Sequence, residues 1–198
     1  MKKEEQSQKK SVEFNLIQIP EVITEKEARE LIMFHKTHPH LLEEDSAEYY
    51  NNRKIPIGNI KTQWIRDLIR KLEFLVVNEV SHTVFPEQSE IMFHPIGSSI
   101  PSHVDVYDTM EGEPIVPKSE WAAVVYLNQD YKGGTLRFDP CEELPMGFEY
   151  QPIAREMVIF QGMEFKHSVS KVYRNNRYTL PMWFTTDFND IRPEYPTI

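Results

Sequence analysis

Short β-strand candidates dominate the chain after Pro86, and this change of pattern is the strongest constraint on its fold. Runs rich in β-branched and aromatic residues follow one another there, separated by Gly, Pro, Asn and Asp. Such spacing predicts a sandwich or jelly roll. Because Pro181 lies inside the last run, we expect a bulge or a sheet edge at that point. The eight candidates are residues 90–95, the segment around His103, and residues 121–128, 135–138, 148–151, 157–160, 168–173 and 177–185.

Two helices are predicted before this region. Thr24 and Glu27 have the spacing of a capping box and precede apolar residues at helical intervals, so a helix is expected from there to about His38-Pro39. A second, amphipathic helix is expected from about Thr62 to His82, with Ile65, Leu68, Ile69, Leu72 and Val76 on its apolar face. Residues 14–19 predict a short strand, and residues 41–59 predict a long loop.

These patterns predict one domain in the 198 residues. Residues 1–12 are charged and polar and are expected to form a flexible tail. Residues 13–198 are expected to form the domain, with helical support in 13–85 and a jelly-roll core in 86–198. The predicted fold class is therefore mostly β with flanking helices: a double-stranded β-helix of about eight strands, supported by two N-terminal helices.

Charge and composition exclude several functional classes. A net charge of −9 argues against a sequence-independent grip on nucleic acid, which needs clustered Lys and Arg. No apolar run approaches the ~18 residues of a membrane helix, and no apolar segment follows the charged N-terminus as in a signal peptide. Cys141 is the single cysteine, so no intramolecular disulfide can form. We therefore expect a cytoplasmic protein that binds neither nucleic acid nor membrane.

A candidate metal site begins at His103 and Asp105. Residues i and i+2 of a strand point to the same face, so the imidazole and the carboxylate can lie side by side. His167 begins another strand-like run and can supply a third ligand. Two histidines and one carboxylate, with the opposite positions open, form the metal site of non-haem Fe(II) oxygenases. The alternative interpretation is a half-exposed strand with two polar residues facing water.

Arg177 follows His167 by ten residues and opens the last strand candidate. A guanidinium that reaches inward from that strand can hold a small dicarboxylic acid through a bidentate pair of hydrogen bonds. The alternative interpretation is an ordinary surface arginine.

As an ordered set, these residues resemble the 2-oxoglutarate- and Fe(II)-dependent dioxygenases, in particular their prolyl 4-hydroxylase-like branch. The resemblance extends from about Ile91 to Phe184. It rests on His103-x-Asp105, Trp121-Ala-Ala-Val-Val-Tyr126-Leu-Asn, Gly133-Gly-Thr-Leu-Arg-Phe, Met157-Val-Ile-Phe160, His167 and Arg177.

The resemblance implies a set of cofactors and residue roles. His103, Asp105 and His167 would bind Fe(II), and Arg177 would bind the distal carboxylate of 2-oxoglutarate. Tyr126 would add a hydroxyl donor, and Trp183 would form a wall of the cosubstrate pocket. With O2, and with ascorbate as a reductant, such an enzyme hydroxylates a C–H bond and releases succinate and CO2. A prolyl residue in a protein or peptide is the first expected substrate, followed by a free small molecule.

The sequence departs from the family at His94. Many relatives have a tyrosine nine residues before the first metal histidine, where this chain has His94. A histidine can still donate a hydrogen bond toward the C1 carboxylate of the cosubstrate. Arg174 is a second candidate for the cosubstrate arginine if the strand register slips. Residues 106–120 are a candidate substrate lid, with a plain connector as the alternative.

Other functions remain open at this stage. A cupin-type jelly roll that binds metal or a small ligand without catalysis, and a zinc hydrolase on the same three ligands, are both compatible with the triad. Nucleic-acid demethylases of the same superfamily carry a further arginine six residues after the cosubstrate arginine, where this chain has Trp183. His35, His38 and His40 are more typical of a helix end than of a metal site.

Overall fold

A computed structural model describes residues 13–44, 53–80, 83–108, 114–118 and 120–190, with the backbone alone for 44, 106–108, 114–118 and 190. The predicted tail, residues 1–12, lies outside the described residues. Within them, no helix has the length and apolar character needed to cross a membrane.

Both predicted helices are confirmed. Helix α1 spans Glu25–Thr37, and the capping box is complete: the Glu27 amide donates to Thr24 Oγ1 at 3.1 Å, and the Thr24 amide donates to Glu27 Oε2 at 2.7 Å. Helix α2 spans Gln63–Glu79 and buries the predicted apolar face. It ends before the predicted His82 because Val80 takes an extended conformation and is buried in the core.

Fifteen strands, several of only two or three residues, lie in the described part of the chain. All of their pairings are antiparallel. The strands are β1 Ile17–Ile19, β2 Glu43–Glu44, β3 Arg53–Pro56, β4 Phe85–His94, β5 Ile100–His103, β6 Val106–Asp108, β7 Pro114–Lys118, β8 Trp121–Tyr126, β9 Lys132–Gly133, β10 Leu136–Phe138, β11 Phe148–Tyr150, β12 Met157–Phe160, β13 His167–Val169, β14 Val172–Tyr173 and β15 Arg177–Thr185.

The strands form two principal sheets, as predicted for a jelly roll. The major sheet has seven strands in the order β1-β12-β8-β15-β4-β3-β2, and the minor sheet has four in the order β11-β10-β13-β5. Two-stranded pairs, β14-β9 and β6-β7, accompany them. Each of the eight predicted strands corresponds to an observed strand, although residues 168–173 are divided between β13 and β14.

The predicted long loop at residues 41–59 is wrong in part. Its second half forms β3, in which Ile55 pairs with Ile91 of β4 and is fully buried. A short 3-10 turn, Ile57–Asn59, follows and buries Ile57. Two turn-forming stretches obscured this strand in the sequence, but the burial of two isoleucines stabilises it against the sheet.

Of the two features expected at Pro181, a bulge or a sheet edge, the structure has no edge there. Strand β15 is central, between β8 and β4, and Pro181 is opposite Val124 of β8. On the β4 side, the paired residues stop at Thr179 and resume at Met182. Proline has no amide hydrogen to donate, so the pairing of β15 with β4 is interrupted there. The bulge in this strand pair falls nearby, between Trp183 and Phe184.

The core has two parts because strand residues alternate between the two faces of the major sheet. Ala123 and Val125 of β8 belong to a large cluster with the apolar faces of α1 and α2. Ala122 and Tyr126 of the same strand belong to a smaller cluster with residues of the minor sheet. The helices thus support one face of the major sheet, and the other face is turned toward the candidate site.

One buried carboxyl connects α2 to the major sheet and leads to a stability prediction. The Ser89 hydroxyl donates to Glu73 Oε1 at 3.0 Å. Burial raises the pKa of the Glu73 carboxyl to about 7, although Ser89 and Arg70 act in the opposite direction. Since the folded-state pKa exceeds that of the unfolded chain, folding favours the protonated form, and the free energy of unfolding should fall as pH rises from about 4.5 to 7.

We expect Glu73→Gln to remove most of this pH dependence. The shift corresponds to roughly 3 kcal/mol at and above pH 7, so the variant should be more stable than wild type there and should gain little near pH 4.5. Denaturant unfolding across this pH range measures the effect. Glu79→Gln, at an exposed position of the same helix, is the matched control. An equal gain at every pH would contradict the titration of Glu73.

Candidate metal centre and adjoining cavity

The three predicted metal ligands lie together at one end of the minor sheet. His103 ends β5 and His167 begins β13, and the two residues are direct partners in the antiparallel pair. Asp105 follows β5 by two residues, and its Oδ1 lies 3.6 Å from Nε2 of each histidine. One ligand atom from each residue lies within 4.8 Å of the other two, and the described residues contain no other such cluster.

Backbone carbonyls fix the orientation of both imidazole rings. Nδ1 of His103 lies 2.9 Å from the carbonyl oxygen of Pro101, and Nδ1 of His167 lies 3.0 Å from that of Phe165. A carbonyl can only accept, so Nδ1 of each ring carries the hydrogen. The lone pairs on both Nε2 atoms therefore face Asp105, and this orientation is typical of metal-binding histidines.

The environment of Asp105 also fits a divalent cation. Its amide donates to the Gly162 carbonyl at 3.0 Å, so the backbone holds the carboxylate in place. Its Oδ2 is buried and has no hydrogen-bond partner among the described residues. Leaving a carboxylate oxygen buried without a partner is costly, and a bound cation removes that cost. Two imidazole nitrogens and one carboxylate suit Fe(II), and they suit zinc as well.

The two histidines have different affinities for protons. Burial lowers the pKa of His103, but the Asp105 carboxylate and the Pro101 carbonyl more than offset it and leave the pKa above its usual value. Burial lowers the pKa of His167 and prevails over the neighbouring Asp105 charge. A metal competes with protons for both rings, so its affinity will fall in acid.

Gly162 provides the space that Asp105 occupies. A Cβ at this position would lie 2.0 Å from Asp105 Oδ2. Gly162→Ala should therefore displace the carboxylate and weaken divalent metal binding by about tenfold or more, within the range for residues that support metal ligands. Metal titration measures the effect. Gly134→Ala crowds Arg177 and Tyr131 instead, and should leave metal affinity near wild type; equal losses in both variants would contradict the assignment.

A cavity of about 90 Å³ opens beside the triad and leads to Arg177. Arg177 is 3% exposed at the start of β15, and its Nε has no hydrogen-bond partner among the described residues. Its Cζ lies 5.4 Å from the centre of the Tyr126 ring. The hydroxyls of Tyr126 and Tyr131 are also buried and lack partners there. A buried cation whose own Nε and two neighbouring hydroxyls are unsatisfied is suited to bind a carboxylate.

His94 is opposite Arg177 in the β4–β15 pair and contributes to the same cavity. Its Nε2 lies 3.2 Å from the Thr179 hydroxyl. Burial lowers the pKa of His94 well below its usual value, and the Arg177 charge acts in the same direction. His94 is therefore neutral at physiological pH and adds no second positive charge to the cavity.

The structure thus brings all seven predicted site residues to one cavity: His94, His103, Asp105, Tyr126, His167, Arg177 and Trp183. The remaining wall is largely apolar and includes Met92, Val124, Leu136 and Phe160. Arg174, the alternative anchor, is wrong. It lies exposed in the bend before β15, with a positive φ of 46°, and it does not line the cavity.

Several residues near the site were not predicted. Gly162 packs against Asp105, and Thr179 hydrogen-bonds to His94. Tyr131 packs with Gly134 and Arg177, and a Cβ at Gly134 would lie 2.9 Å from both side chains. The paired glycines at 133 and 134, both with positive φ, were the available signal, since glycine pairs often mark a close approach.

The histidines near the end of α1 have structural contacts. His35 Nε2 lies 3.0 Å from the Arg53 carbonyl, and His38 Nδ1 lies 2.9 Å from the Phe34 carbonyl. The contact of His38 with the last turn of α1 is the one expected of a histidine at a helix end. In the candidate lid, residues 106–120, the described backbone forms the antiparallel pair β6–β7, and the role of this segment stays a prediction.

Comparison with known proteins places this geometry among oxygenases. The family model of the 2OG-Fe(II) oxygenase superfamily matches residues 90–185. Human prolyl 3-hydroxylase 1 is 28% identical over 150 residues, which cover 72% of this chain and 20% of that protein. Mouse prolyl 3-hydroxylase 3 is 34% identical over 107 residues, which cover 50% of this chain and 14% of that protein. The chain thus spans no more than a fifth of these curated relatives.

Solved structures share the fold. A Pseudomonas putida prolyl-4-hydroxylase superposes with a TM-score of 0.68 at 17% identity, over 88% of this chain and 94% of its own. A Trichoplax adhaerens prolyl hydroxylase, solved with a hypoxia inducible factor peptide fragment, superposes with a TM-score of 0.67 at 15% identity, over 86% and 83%. These superpositions confirm the double-stranded β-helix predicted from the sequence.

Proposed function

We propose that this chain, whose residues 90–185 match the family model of the 2OG-Fe(II) oxygenase superfamily, is an Fe(II)- and 2-oxoglutarate-dependent dioxygenase that hydroxylates a prolyl residue in a protein or peptide. One observation carries the proposal: the His103, Asp105 and His167 cluster opens into the same cavity as the buried, unsatisfied guanidinium of Arg177. The triad alone would suit many metals, but the arginine adds a site for an anionic cosubstrate.

The triad would hold Fe(II) through Nε2 of each histidine and the Asp105 carboxylate. Bound iron, with 2-oxoglutarate and O2, supplies the oxidative chemistry that the side chains cannot. One oxygen atom enters the substrate as hydroxyl and the other enters succinate, while the C1 carboxylate of 2-oxoglutarate leaves as CO2. The carbonyls of Pro101 and Phe165 keep both imidazoles in the tautomer that presents a lone pair to the metal.

Arg177 would bind the distal carboxylate of 2-oxoglutarate, with Tyr126 donating from its hydroxyl. Burial raises the pKa of Tyr126 far above its usual value, so this residue stays a neutral donor at any physiological pH. Neutral His94 can donate or accept without altering the charge balance between Arg177 and the dianion. The apolar wall excludes water and strengthens the charge–charge interaction at Arg177.

A prolyl substrate is supported by the relatives rather than by the cavity itself. The curated relatives reported above are prolyl 3-hydroxylases, whereas the superposed structures include a prolyl-4-hydroxylase and a prolyl hydroxylase bound to a peptide fragment. A protein or peptide is therefore the proposed substrate class, and either ring carbon is a candidate position. The net charge of −9 favours a neutral or basic partner over an acidic one.

Two alternative functions do not require Arg177. A cupin-like protein that only binds metal, or a zinc hydrolase on the same triad, has no use for a buried guanidinium beside the metal site. An oxygenase that acts on a free small molecule shares every contact described here and differs only in the substrate.

The test is incubation of the Fe(II)-loaded protein with 2-oxoglutarate, O2, ascorbate and a library of proline-containing peptides, each matched by a proline-to-alanine version. We expect peptide-dependent succinate formation and the gain of one oxygen atom on proline, absent from the alanine peptides. Amino-acid analysis then distinguishes 3- from 4-hydroxyproline. Succinate release without modification of any peptide would redirect the search to small molecules. Absence of succinate under all conditions would contradict the enzyme assignment.

A further inference from the structure

Asn128 makes an unusual set of contacts around Arg177. It lies two residues after the end of β8, and its side chain is partly buried. The Tyr178 amide donates to Asn128 Oδ1 at 2.8 Å, and Asn128 Nδ2 donates to the Asn176 carbonyl at 2.8 Å. One side-chain amide thus hydrogen-bonds to the residues immediately before and after Arg177.

These two hydrogen bonds hold both peptide planes of Arg177. The Asn176 carbonyl lies in the plane that contains the Arg177 amide, and the Tyr178 amide lies in the plane that contains the Arg177 carbonyl. Since each plane is rigid, holding both restricts φ and ψ of Arg177. The direction in which its side chain leaves the backbone follows from these two angles.

The β4–β15 pair restrains the backbone of Arg177 on one side, where His94 is its partner. On the other side the β8–β15 ladder supplies no such restraint. Its first paired residue on β15 is Thr179, opposite Tyr126, so Arg177 extends beyond the paired part of β8. The preceding turn contains Arg174 and Asn175, both with positive φ. Beyond the end of this ladder, the side chain of Asn128 holds the backbone on both sides of Arg177. A hydrogen bond at 3.0 Å from the Leu127 amide to the Tyr178 carbonyl adds to this restraint.

Precise placement of this backbone matters because the space around the Arg177 side chain is narrow. Its Cδ would lie 2.9 Å from a Cβ at Gly134, and its Cζ lies 5.4 Å from the Tyr126 ring centre. A small rotation of the backbone at Arg177 would turn the guanidinium away from the cavity or into Tyr131.

We propose that Asn128 is a positioning residue for Arg177 and thereby sets the affinity of the site for the distal carboxylate of the cosubstrate. This inference rests on the proposed function. The side chain of Asn128 hydrogen-bonds to Asn176, Tyr178 and Asp130, and none of these three lines the cavity or belongs to the metal triad. Its effect should therefore be confined to ligands that use Arg177.

The test compares two keto acids on protein loaded with Mn(II), which replaces Fe(II) without turnover. 2-Oxoglutarate has the distal carboxylate, and 2-oxobutyrate lacks it while keeping the metal-chelating end. Asn128→Asp removes the donor to Asn176 and should raise the 2-oxoglutarate dissociation constant about tenfold, the effect of one or two lost hydrogen bonds. Binding of 2-oxobutyrate and of Mn(II) should stay within about twofold of wild type. Asn128→Ala, which adds no charge, should show the same selective loss.

Asn78→Asp is the matched control. It makes the same chemical change at an exposed position of α2, where Asn78 donates to the Phe74 carbonyl at 2.7 Å. It should leave both keto-acid affinities unchanged. Unaltered 2-oxoglutarate binding in the Asn128 variants, or an equal loss for both keto acids, would overturn the positioning role. If the wild-type protein does not bind 2-oxoglutarate more tightly than 2-oxobutyrate, the proposed function is itself contradicted, and the inference about Asn128 is contradicted with it.

Discussion

Replacing Asp105 with alanine is expected to abolish turnover and to weaken Fe(II) binding by at least about 100-fold. Changes to residues that merely support a metal ligand cost about 10–100-fold in affinity, so loss of the only anionic ligand should cost more. The variant leaves two neutral imidazoles to hold a dication in a site that is mostly buried. Metal titration and succinate formation measure the two effects.

Asp67→Ala is the control for Asp105→Ala. Asp67 is exposed on α2, where it accepts a hydrogen bond from Gln63 at 2.8 Å. Its loss should leave both metal affinity and turnover near wild type. Retention of turnover in Asp105→Ala would show that the His103 and His167 pair is sufficient, and it would contradict the role given to the carboxylate.

The second large effect is expected at Arg177. Arg177→Gln keeps a polar but shorter side chain and removes the charge, and truncating one partner of a buried charge pair costs about 2–5 kcal/mol. The dissociation constant for 2-oxoglutarate should therefore rise by roughly 100-fold. Fe(II) affinity should change little, since Arg177 is not among the three metal-binding residues.

Arg174→Gln makes the same change three residues earlier, at an exposed position in the turn. It should leave 2-oxoglutarate binding unchanged. An equal loss in the two variants would indicate that overall charge, rather than the buried guanidinium, attracts the cosubstrate. A loss of 2-oxoglutarate binding in Arg174→Gln alone would indicate that Arg174, rather than Arg177, binds the cosubstrate.

The elements that the sequence predicts correctly are those that depend on residues close together in the chain. Thr24 and Glu27 define the start of α1 because a capping box depends on residues three apart, and α2 follows from its apolar periodicity. Strand β3 escaped prediction because Ile55 and Ile57 are flanked by turn-forming residues, and only the distant β4 gives them a place to bury. The central position of Pro181 likewise depends on strand order, which no local pattern contains.

The residues of the site also include some that the sequence predicts and some that only the tertiary structure identifies. Strand periodicity predicted that His103 and Asp105 lie side by side, although β5 ends at His103 and Asp105 lies two residues beyond it. Their meeting with His167 requires the β5–β13 pair, which the family resemblance suggested and local patterns could not. Gly162, Thr179 and Asn128 were missed because each acts across the fold. Asn128, for example, contacts a residue 50 positions away. Such residues have no distinctive spacing in the sequence, so only the tertiary structure identifies them.

The most direct test of the central claim is anaerobic titration of 2-oxoglutarate into the Fe(II)-loaded protein, monitored by visible absorption. A keto acid chelated to Fe(II) gives a charge-transfer band in this region. We predict a saturable band that is absent in Asp105→Ala and needs far more 2-oxoglutarate to appear in Arg177→Gln. No band at saturating iron and 2-oxoglutarate would contradict the dioxygenase assignment and would leave a metal-binding jelly roll whose buried arginine serves another purpose.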